Sequence, residues 1–451
     1  MTSTAPTPRD AATAAGDDAQ RAPWRVAFSG FVGTAIEYYD FFIFGTAAAL
    51  VFGKVFFSSL DPVAGVLASF ATFAVAFVAR PVGGVIFGHF GDRIGRKTML
   101  VASLLTMGVA TVAVGLLPGY DTIGIAAPIL LVALRFLQGV GLGGEFGGAM
   151  LMVAEHAPPR RRGFFAAMAQ LGPPVGLALS ALTFLMISVG MSAAEFEAWG
   201  WRIAFLASAL LVVVGIWVRL NVSESPIFAE VTRKQAQVKV PFVELIRHHW
   251  ARLLLAAGPS LLSSLLYFLI TTYSLSYGTT VLGLPQQTML LVVVAVVVVN
   301  AIVTLPLGAL SDRIGRRRSV FWGILASAAW AVPMFLLVRT GEPMVITVAF
   351  SIGIVFYTMI FAPLGAYLPE LFDTRVRYTG TSVSFNIGAM LGGALAPTIA
   401  TSLGAATGNA WWVLPSYVLV VAVLALACVL HLPETRASAL TGSDTPRKDS
   451  A

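Results

Sequence analysis

The chain has 451 residues, of which 57% are hydrophobic and only 11% are charged. Soluble domains carry about a quarter charged residues, and a soluble fold this apolar would need a larger core than single domains reach. The composition therefore argues against soluble enzymes, nucleic-acid-binding proteins and disordered proteins, and it favours a protein embedded in lipid. The single cysteine, Cys428, excludes an internal disulfide.

Twelve stretches of the sequence are long and apolar enough to form membrane-spanning helices, which need about 20 mostly apolar residues each. They are separated by charged residues, Pro or Gly, and they lie near 24–53, 63–88, 98–117, 123–154, 163–190, 200–219, 251–277, 286–310, 319–338, 343–368, 377–404 and 411–432. Residues 1–23 lack the hydrophobic region of a cleaved signal peptide, so we expect the first span to target the chain. The sequence predicts an all-α membrane protein with twelve transmembrane helices.

The basic residues cluster at one end of these spans. Of the 29 Lys and Arg residues, 24 lie in or beside the two tails, the loops after spans 2, 4, 8 and 10, and the loop between spans 6 and 7. Short loops rich in Lys and Arg face the cytoplasm. We therefore expect a multi-pass protein of the inner or plasma membrane with both termini in the cytoplasm, and the net charge of +7 reflects topology rather than a nucleic-acid partner.

A basic, Gly-rich turn occurs twice and divides the chain into similar halves. The first copy, from Gly88, reads Gly-His-Phe-Gly-Asp-Arg-Ile-Gly-Arg-Lys, and the second, from Gly308, reads Gly-Ala-Leu-Ser-Asp-Arg-Ile-Gly-Arg-Arg. Any basic cytoplasmic turn would satisfy the charge rule once, but two copies at equivalent positions indicate a repeat. The prediction is a disordered cytoplasmic N-terminal tail at 1–23, a first six-helix bundle at 24–220 and a cytoplasmic linker at 221–250. A second six-helix bundle follows at 251–432, and a cytoplasmic C-terminal tail at 433–451.

These turns and several motifs within the spans resemble the major facilitator superfamily over nearly the whole chain. Within it, the motifs are similar to those of the metabolite:proton symporter family. They are Gly33-Thr-Ala-Ile-Glu37-Tyr-Tyr-Asp40, Arg80-Pro-Val-Gly-Gly84, Arg135-Phe-Leu-Gln138 continuing to Glu145, Trp199-Gly-Trp201-Arg202 and Gly380-Thr-Ser-Val-Ser-Phe-Asn386. The resemblance implies two pseudo-symmetric bundles and a carrier of α-ketoglutarate, citrate, shikimate, dicarboxylates, or proline and betaine, with protons.

Five charged residues lie well inside the predicted spans, away from their ends, where a charge costs about 2.5–3.5 kcal/mol on insertion scales. They are Glu37, Asp40, Arg80, Arg135 and Glu145. Each is expected to face the bundle interior or a water-filled cavity. Glu37 and Asp40 share one face of span 1 because they are three residues apart. For Arg80 and Glu145, a purely structural ion pair is the alternative.

We expect Arg80, Arg135 and Gln138 to bind a substrate carboxylate. Asp40 is the favoured site for the transported proton, with Glu37 and Glu145 as less favoured choices. None of the five histidines lies in the middle of a span, so we expect a carboxylate to carry the transported proton. In the related sugar porters an Asp of span 1 lies opposite an Arg of span 4, which matches Asp40 and Arg135 here.

Isolated polar residues in the second half offer further substrate contacts, of which Tyr267 and Asn386 are favoured. A polar residue in a span is more often part of an interhelical hydrogen bond than a ligand contact, and that alternative remains open. We also expect the charged residues of the two repeated turns to form cytoplasmic gates that break when the carrier opens inward. They are Asp92, Arg93, Arg96, Asp312, Arg313 and Arg316.

The sequence thus predicts a secondary active transporter that imports a small carboxylate-containing metabolite by proton symport. A zwitterion carrier of the proline/betaine kind is the alternative, and a non-transporting membrane sensor is the alternative of a different class. No metal-ligand cluster or nucleophile–base set appears, so we expect neither an enzyme nor a cofactor, and the proton is the coupling ion. The expected partners are a small organic acid or zwitterion and the bilayer, with no nucleic acid, and a monomer suffices.

Overall fold

The computed structural model describes residues 8–220 and 241–436, and this part of the chain is almost entirely helical. We number the long helices α1 to α12. Nine are single segments: α1 Pro8–Ala47, α2 Pro62–Ile94, α3 Arg96–Leu116, α4 Ala126–His156, α6 Trp201–Leu220, α8 Gln286–Ile314, α9 Arg316–Val338, α10 Pro343–Glu370 and α12 Val413–Leu430. Three are interrupted: α5 is Arg162–Ala169 and Gly172–Gly190, α7 is Pro241–Phe268 and Ser274–Thr280, and α11 is Arg377–Ala389 and Ala396–Ala406.

The predicted all-α membrane fold is confirmed. Among the described residues, eleven helices are long and apolar enough to cross a membrane, and they correspond to α2 through α12. The first helix is not in this set. The twelve helices form the arrangement that the sequence predicts.

Two helices begin earlier than the sequence predicts. α1 starts at Pro8, inside the predicted tail, where an alanine-rich sequence has a high helix propensity. α7 starts at Pro241, inside the predicted linker, and its first turns bury Leu245 against the bundle. The rest of the linker, with its Glu224-Ser-Pro226 motif, and most of the C-terminal tail lie outside the described residues.

The chain packs as two halves, α1–α6 and α7–α12, which meet along α2, α4 and α5 on one side and α8, α10 and α11 on the other. α2 packs against α11, and α5 against α8, so the two contacts are related by the repeat. Glycines make the first contact close: a Cβ atom at Gly88 would lie 2.6 Å from the Cα of Thr379. A Cβ at Gly91 would overlap the ring of Tyr378. The glycines of α2 therefore serve helix packing.

Candidate functional site

A cavity lies between the two halves, with about 430 Å³ of space free of protein atoms. Both halves contribute to its wall, and most of the wall is aromatic. The aromatic residues are Tyr38, Phe41, Phe77, Tyr267, Phe268, Tyr357, Phe361 and Phe385. Arg80 of α2 is the one charged side chain among the described residues that line it. The site is thus an apolar chamber with a single positive charge.

Arg80 has fewer hydrogen-bond partners than a buried guanidinium normally has. Its Nη2 lies 3.9 Å from Oε1 of Glu37, and its Cζ lies 5.2 Å and 5.1 Å from the ring centres of Phe41 and Phe77. Within the described part of the chain, Nε and Nη2 of Arg80 and Oε2 of Glu37 form no hydrogen bond, and neither does the hydroxyl of Tyr267. Because buried polar groups are nearly always hydrogen-bonded, these atoms are positioned to bind a polar solute or water.

Asp40 of α1 lies in a separate, buried network. Its Oδ2 accepts a hydrogen bond of 2.9 Å from the Thr111 hydroxyl of α3, and its Oδ1 accepts one from the Ser208 hydroxyl of α6. The amide of Gln138 donates to the same Thr111 hydroxyl at 2.7 Å, and Nη1 of Arg135 donates to Oε1 of Gln138 at 3.2 Å. Asp40 and Arg135 are therefore connected through Thr111 and Gln138, and no ion pair within 4.0 Å joins them directly among the described contacts.

Arg135 of α4 is enclosed by aromatic rings. Its Cζ lies 4.0 Å from the ring centre of Phe44, 5.0 Å from that of Phe73 and 5.4 Å from that of Phe41. It is not among the residues that line the cavity, and neither is Gln138. Of the predicted substrate-binding residues, the structure thus places Arg80 and Tyr267 on the cavity and Arg135 and Gln138 in the buried network.

Glu145 and Asn386 make packing contacts instead of facing the cavity. Glu145 pairs with Arg219 of α6 and accepts a 3.3 Å hydrogen bond from Ser103. Gly33 makes room for that pair, since a Cβ there would overlap the Arg219 guanidinium. The amide nitrogen of Asn386 donates to the backbone carbonyl of Gly143 in the other half at 2.8 Å. Both arrangements match the structural alternatives that the sequence left open.

The aspartate of each repeated turn accepts hydrogen bonds from the backbone of the opposite half. Asp92 accepts hydrogen bonds from the backbone N–H groups of Tyr378 at 3.2 Å and Thr379 at 3.0 Å, in the first turn of α11. Asp312 accepts hydrogen bonds of 2.9 Å from the backbone N–H groups of Gly163 and Phe164, in the first turn of α5. A carboxylate at a helix N-terminus also interacts favourably with the helix dipole.

Beside each of these contacts, a buried glutamate pairs with one arginine of its own half and one arginine of the other half. Glu155 lies 3.3 Å from Nη2 of Arg96 in its own half and 3.4 Å from Nη1 of Arg377 in the other. We call Asp92, Arg96, Glu155 and Arg377 gate A.

The second gate repeats this arrangement with the halves exchanged. Glu370 lies 3.5 Å from Arg316 in its own half and 3.5 Å from Arg162 in the other, while Arg316 pairs with Asp312 at 2.8 Å. We call Asp312, Arg316, Glu370 and Arg162 gate B. The two gates join the halves at the end of the bundle that carries most of the basic residues, called the basic end below.

Sequence reasoning missed both gate glutamates. The signal was present, because Glu155 and Arg162 are seven residues apart and so are Glu370 and Arg377, with an offset of 215 residues between the halves. Arg93 and Arg313, which the sequence included among the gating residues, lie on the exposed surface. Each follows its aspartate by one residue in the last turn of the helix, whereas Arg96 and Arg316 begin the next helix after a glycine and are buried.

Two similar six-helix halves that enclose a central, largely aromatic cavity, and that are joined at one end by buried ion pairs, are typical of a membrane carrier. Comparison with known proteins identifies the family. Residues 30–397 match the sequence profile of the Major Facilitator Superfamily, and the chain belongs to that family.

Its relatives are named as metabolite transporters. The chain is 43% identical over 423 residues to the inner membrane metabolite transport protein YhjE of Escherichia coli (strain K12), covering 92% of this chain and 95% of that protein. It is 38% identical to the shikimate transporter of the same organism, covering 88% and 91%. It is 34% identical to the proline/betaine transporter, also of Escherichia coli (strain K12), covering 93% and 85%.

A solved structure shares the fold. The MFS proton:xylose symporter XylE bound to 6-bromo-6-deoxy-D-glucose superimposes with a TM-score of 0.74 at 16% identity, covering 92% of this chain and 97% of that one. The resemblance seen in the sequence is therefore confirmed: the protein is a multi-pass membrane transporter of the major facilitator superfamily and not an enzyme.

Proposed function

We propose that the protein imports a small metabolite with a carboxylate group across the inner membrane, together with a proton, by alternating access. One observation carries the proposal: Arg80 is the one charged side chain among the described residues of the cavity wall, and two of its nitrogens have no hydrogen-bond partner. A guanidinium binds a carboxylate through two parallel hydrogen bonds. A low-dielectric, aromatic surrounding strengthens that interaction.

The solute would contact both halves at once. Arg80 and Glu37 belong to the first half, whereas the unpartnered hydroxyl of Tyr267 belongs to the second. A carboxylate on Arg80 replaces the weak contact to Glu37, which spans 3.9 Å. A hydroxyl or second oxygen on the solute can then satisfy Tyr267, so that binding draws the halves together around the cavity.

Asp40 is our first choice for the proton site. It is buried, 2% exposed, and its two oxygens accept hydrogen bonds from hydroxyls that can rotate to suit either protonation state. Glu37, beside Arg80, is the second choice, and Glu145 is the third because Arg219 already neutralises it.

The gates suggest how transport is directed. We assign the basic end to the cytoplasm because basic loops remain on that side, which places both termini there. Gates A and B then close the cytoplasmic route, and inward opening must break both. One chain contains both halves, the cavity and the two gates, so a monomer is sufficient for this cycle.

Transport in proteoliposomes tests the proposal. Labelled shikimate, proline and glycine betaine are offered separately to the full-length protein under an imposed pH gradient, alkaline inside. We expect accumulation of shikimate that a protonophore abolishes. Arg80→Ala should abolish it at equal protein content, whereas Arg318→Ala, an exposed arginine of the basic end, should not. Accumulation that persists with a protonophore, or in Arg80→Ala, would overturn the proposal.

A zwitterion such as glycine betaine is the second candidate substrate. The aromatic wall favours it, because the faces of rings such as Tyr267, Tyr357 and Phe361 attract quaternary ammonium groups. In the same vesicles, uptake of glycine betaine that shikimate does not inhibit would select this candidate.

A further inference from the structure

The Phe41 ring contacts two cationic side chains at the same time. Its centre lies 5.2 Å from Cζ of Arg80 and 5.4 Å from Cζ of Arg135. Both distances are within the range of cation–π interactions. The two arginines come from different helices, α2 and α4, and belong to the cavity and to the buried network respectively.

The other aromatic residues around these arginines contact only one of them. Phe77 lies 5.1 Å from Arg80, and Phe44 lies 4.0 Å from Arg135. No cation–π contact of Phe77 with Arg135, or of Phe44 with Arg80, is found in the described part of the chain. Among the described residues, Phe41 is thus the ring that joins the two guanidinium groups, and Phe44, which does not line the cavity, provides a matched control.

Phe41 also forms part of the wall between two compartments. One side of the residue lines the cavity, yet the side chain is only 1% exposed because Phe73 and Phe77 pack against it at 4.6 Å and 5.3 Å. Asp40 precedes it directly in α1. A shift of α1 at Phe41 would therefore also displace Asp40, whose carboxylate is bound by Thr111 and Ser208.

We propose that Phe41 is the positioning residue that couples occupancy of Arg80 by the solute to release of the proton site at Asp40, an inference that rests on the function proposed above. In the empty carrier the ring is held between two cations. A carboxylate that binds Arg80 competes with the ring for the guanidinium, and the ring is then free to move with α1. The proton-loaded carrier changes conformation only when the cavity is filled.

The groups that face Phe41 come from several helices. Glu37, Tyr38 and Asp40 lie on its own helix, Arg80 on α2 and Arg135 on α4. Across the cavity the titratable side chains are Tyr267 and Tyr357. Of these, the two arginines form cation–π contacts with the ring, and the Tyr38 ring packs against it at 6.3 Å. Replacing the ring therefore removes the contact that the arginines share and leaves the acids in place.

Proton leak in the absence of any solute tests the proposal without knowledge of the substrate. Full-length protein is reconstituted with an internal pH-sensitive dye, and a potassium diffusion potential drives protons inward. We expect Phe41→Leu to raise the proton flux about tenfold over the wild type, as loss of a buried cation–π contact allows. Phe41→Tyr, which keeps the aromatic ring, should show the same low proton flux as the wild type. Phe44→Leu, which removes a ring that contacts Arg135 and does not line the cavity, should leave the proton flux at the wild-type level.

The outcomes separate this inference from the proposed function. A proton flux through Phe41→Leu that stays at the wild-type level, or a flux through Phe44→Leu as high as that through Phe41→Leu, overturns the role of Phe41. The proposed function itself is overturned by a different result with the wild-type protein. This result is that it does not accumulate shikimate, proline or glycine betaine under a pH gradient, and that adding them causes no proton movement. A correctly folded Phe41→Leu is verified by its elution from a sizing column beside Phe41→Tyr.

Discussion

The two halves of this transporter repeat each other at the gates and differ at the centre. At the basic end, gates A and B each consist of one Asp, one Glu and two Arg, and each aspartate caps a helix of the opposite half. At the centre, the five charged residues within the spans all come from the first half, while the second half supplies Tyr267, Tyr357 and other aromatic residues.

This difference separates two tasks. In the transport cycle that we propose, both gates break and form as the halves rock against each other, and two equivalent ion-pair clusters contribute equally to that step. Binding a solute and a proton needs a specific set of charges, which the repeat does not have to preserve. The following predictions test this division of labour, from the largest expected effect to the smallest.

Replacing Asp40 tests the asymmetric centre. We expect Asp40→Asn to abolish accumulation driven by a pH gradient, because an amide cannot carry the transported proton, while exchange of solute across the vesicle membrane continues. Uptake and counterflow of labelled shikimate in proteoliposomes measure the two activities. Asp121→Asn, an exposed aspartate at the other end of the bundle, is the control. Full accumulation in Asp40→Asn would remove this residue from the proton pathway.

Replacing the gate glutamates tests the symmetry. Removing one partner of a buried ion pair costs about 3–5 kcal/mol, so Glu155→Gln and Glu370→Gln should both strongly favour the inward-open state, and to a similar extent. Cys428→Ser removes the one cysteine, and Ser264→Cys then reports on the cavity. Labelling by an impermeant thiol reagent from the basic end should accelerate in both variants.

Glu342→Gln, an exposed glutamate at the opposite end, should leave that labelling rate at its starting value. A large effect in one gate variant with none in the other would show that the gates are not equivalent, and the comparison between the halves would fail at its symmetric part.

The smallest expected effect comes from the second half. Tyr267→Phe removes one hydroxyl that has no partner among the described residues, and a net hydrogen bond is worth about 0.5–1.5 kcal/mol. We therefore expect KM for a hydroxylated acid such as shikimate to rise about threefold to tenfold, with no change for glycine betaine, which lacks a hydroxyl group. An equal change for both solutes would place the effect in cavity shape instead of hydrogen bonding.

Much of the fold could be predicted because membrane helices leave a strong signal. Long apolar runs, the repeated turns around Asp92 and Asp312 and the distribution of basic residues indicated the number of spans and the repeat. The same logic selected Arg80 and Tyr267, and both line the cavity. A charge or hydroxyl in the middle of an apolar span must face the interior, so residue type and depth were sufficient for these two.

The direction in which an interior residue points could not be predicted. Arg135 and Gln138 share one helix face, as the spacing indicated, but that face meets Thr111 and the Phe44 ring instead of the cavity. Asn386 likewise reaches the backbone of Gly143 because glycines bring α11 close to α4. Spacing along one helix shows which residues lie together and does not show which neighbouring helix they meet.

By itself, the sequence determined that this protein is a membrane-embedded, internally repeated helical carrier, because solvation by lipid constrains each span independently of the others. Only the tertiary structure decided which charges meet: Glu155 with Arg377, Glu370 with Arg162, and Phe41 between Arg80 and Arg135. These contacts join residues that are far apart in the chain, and their geometry depends on how the twelve helices pack.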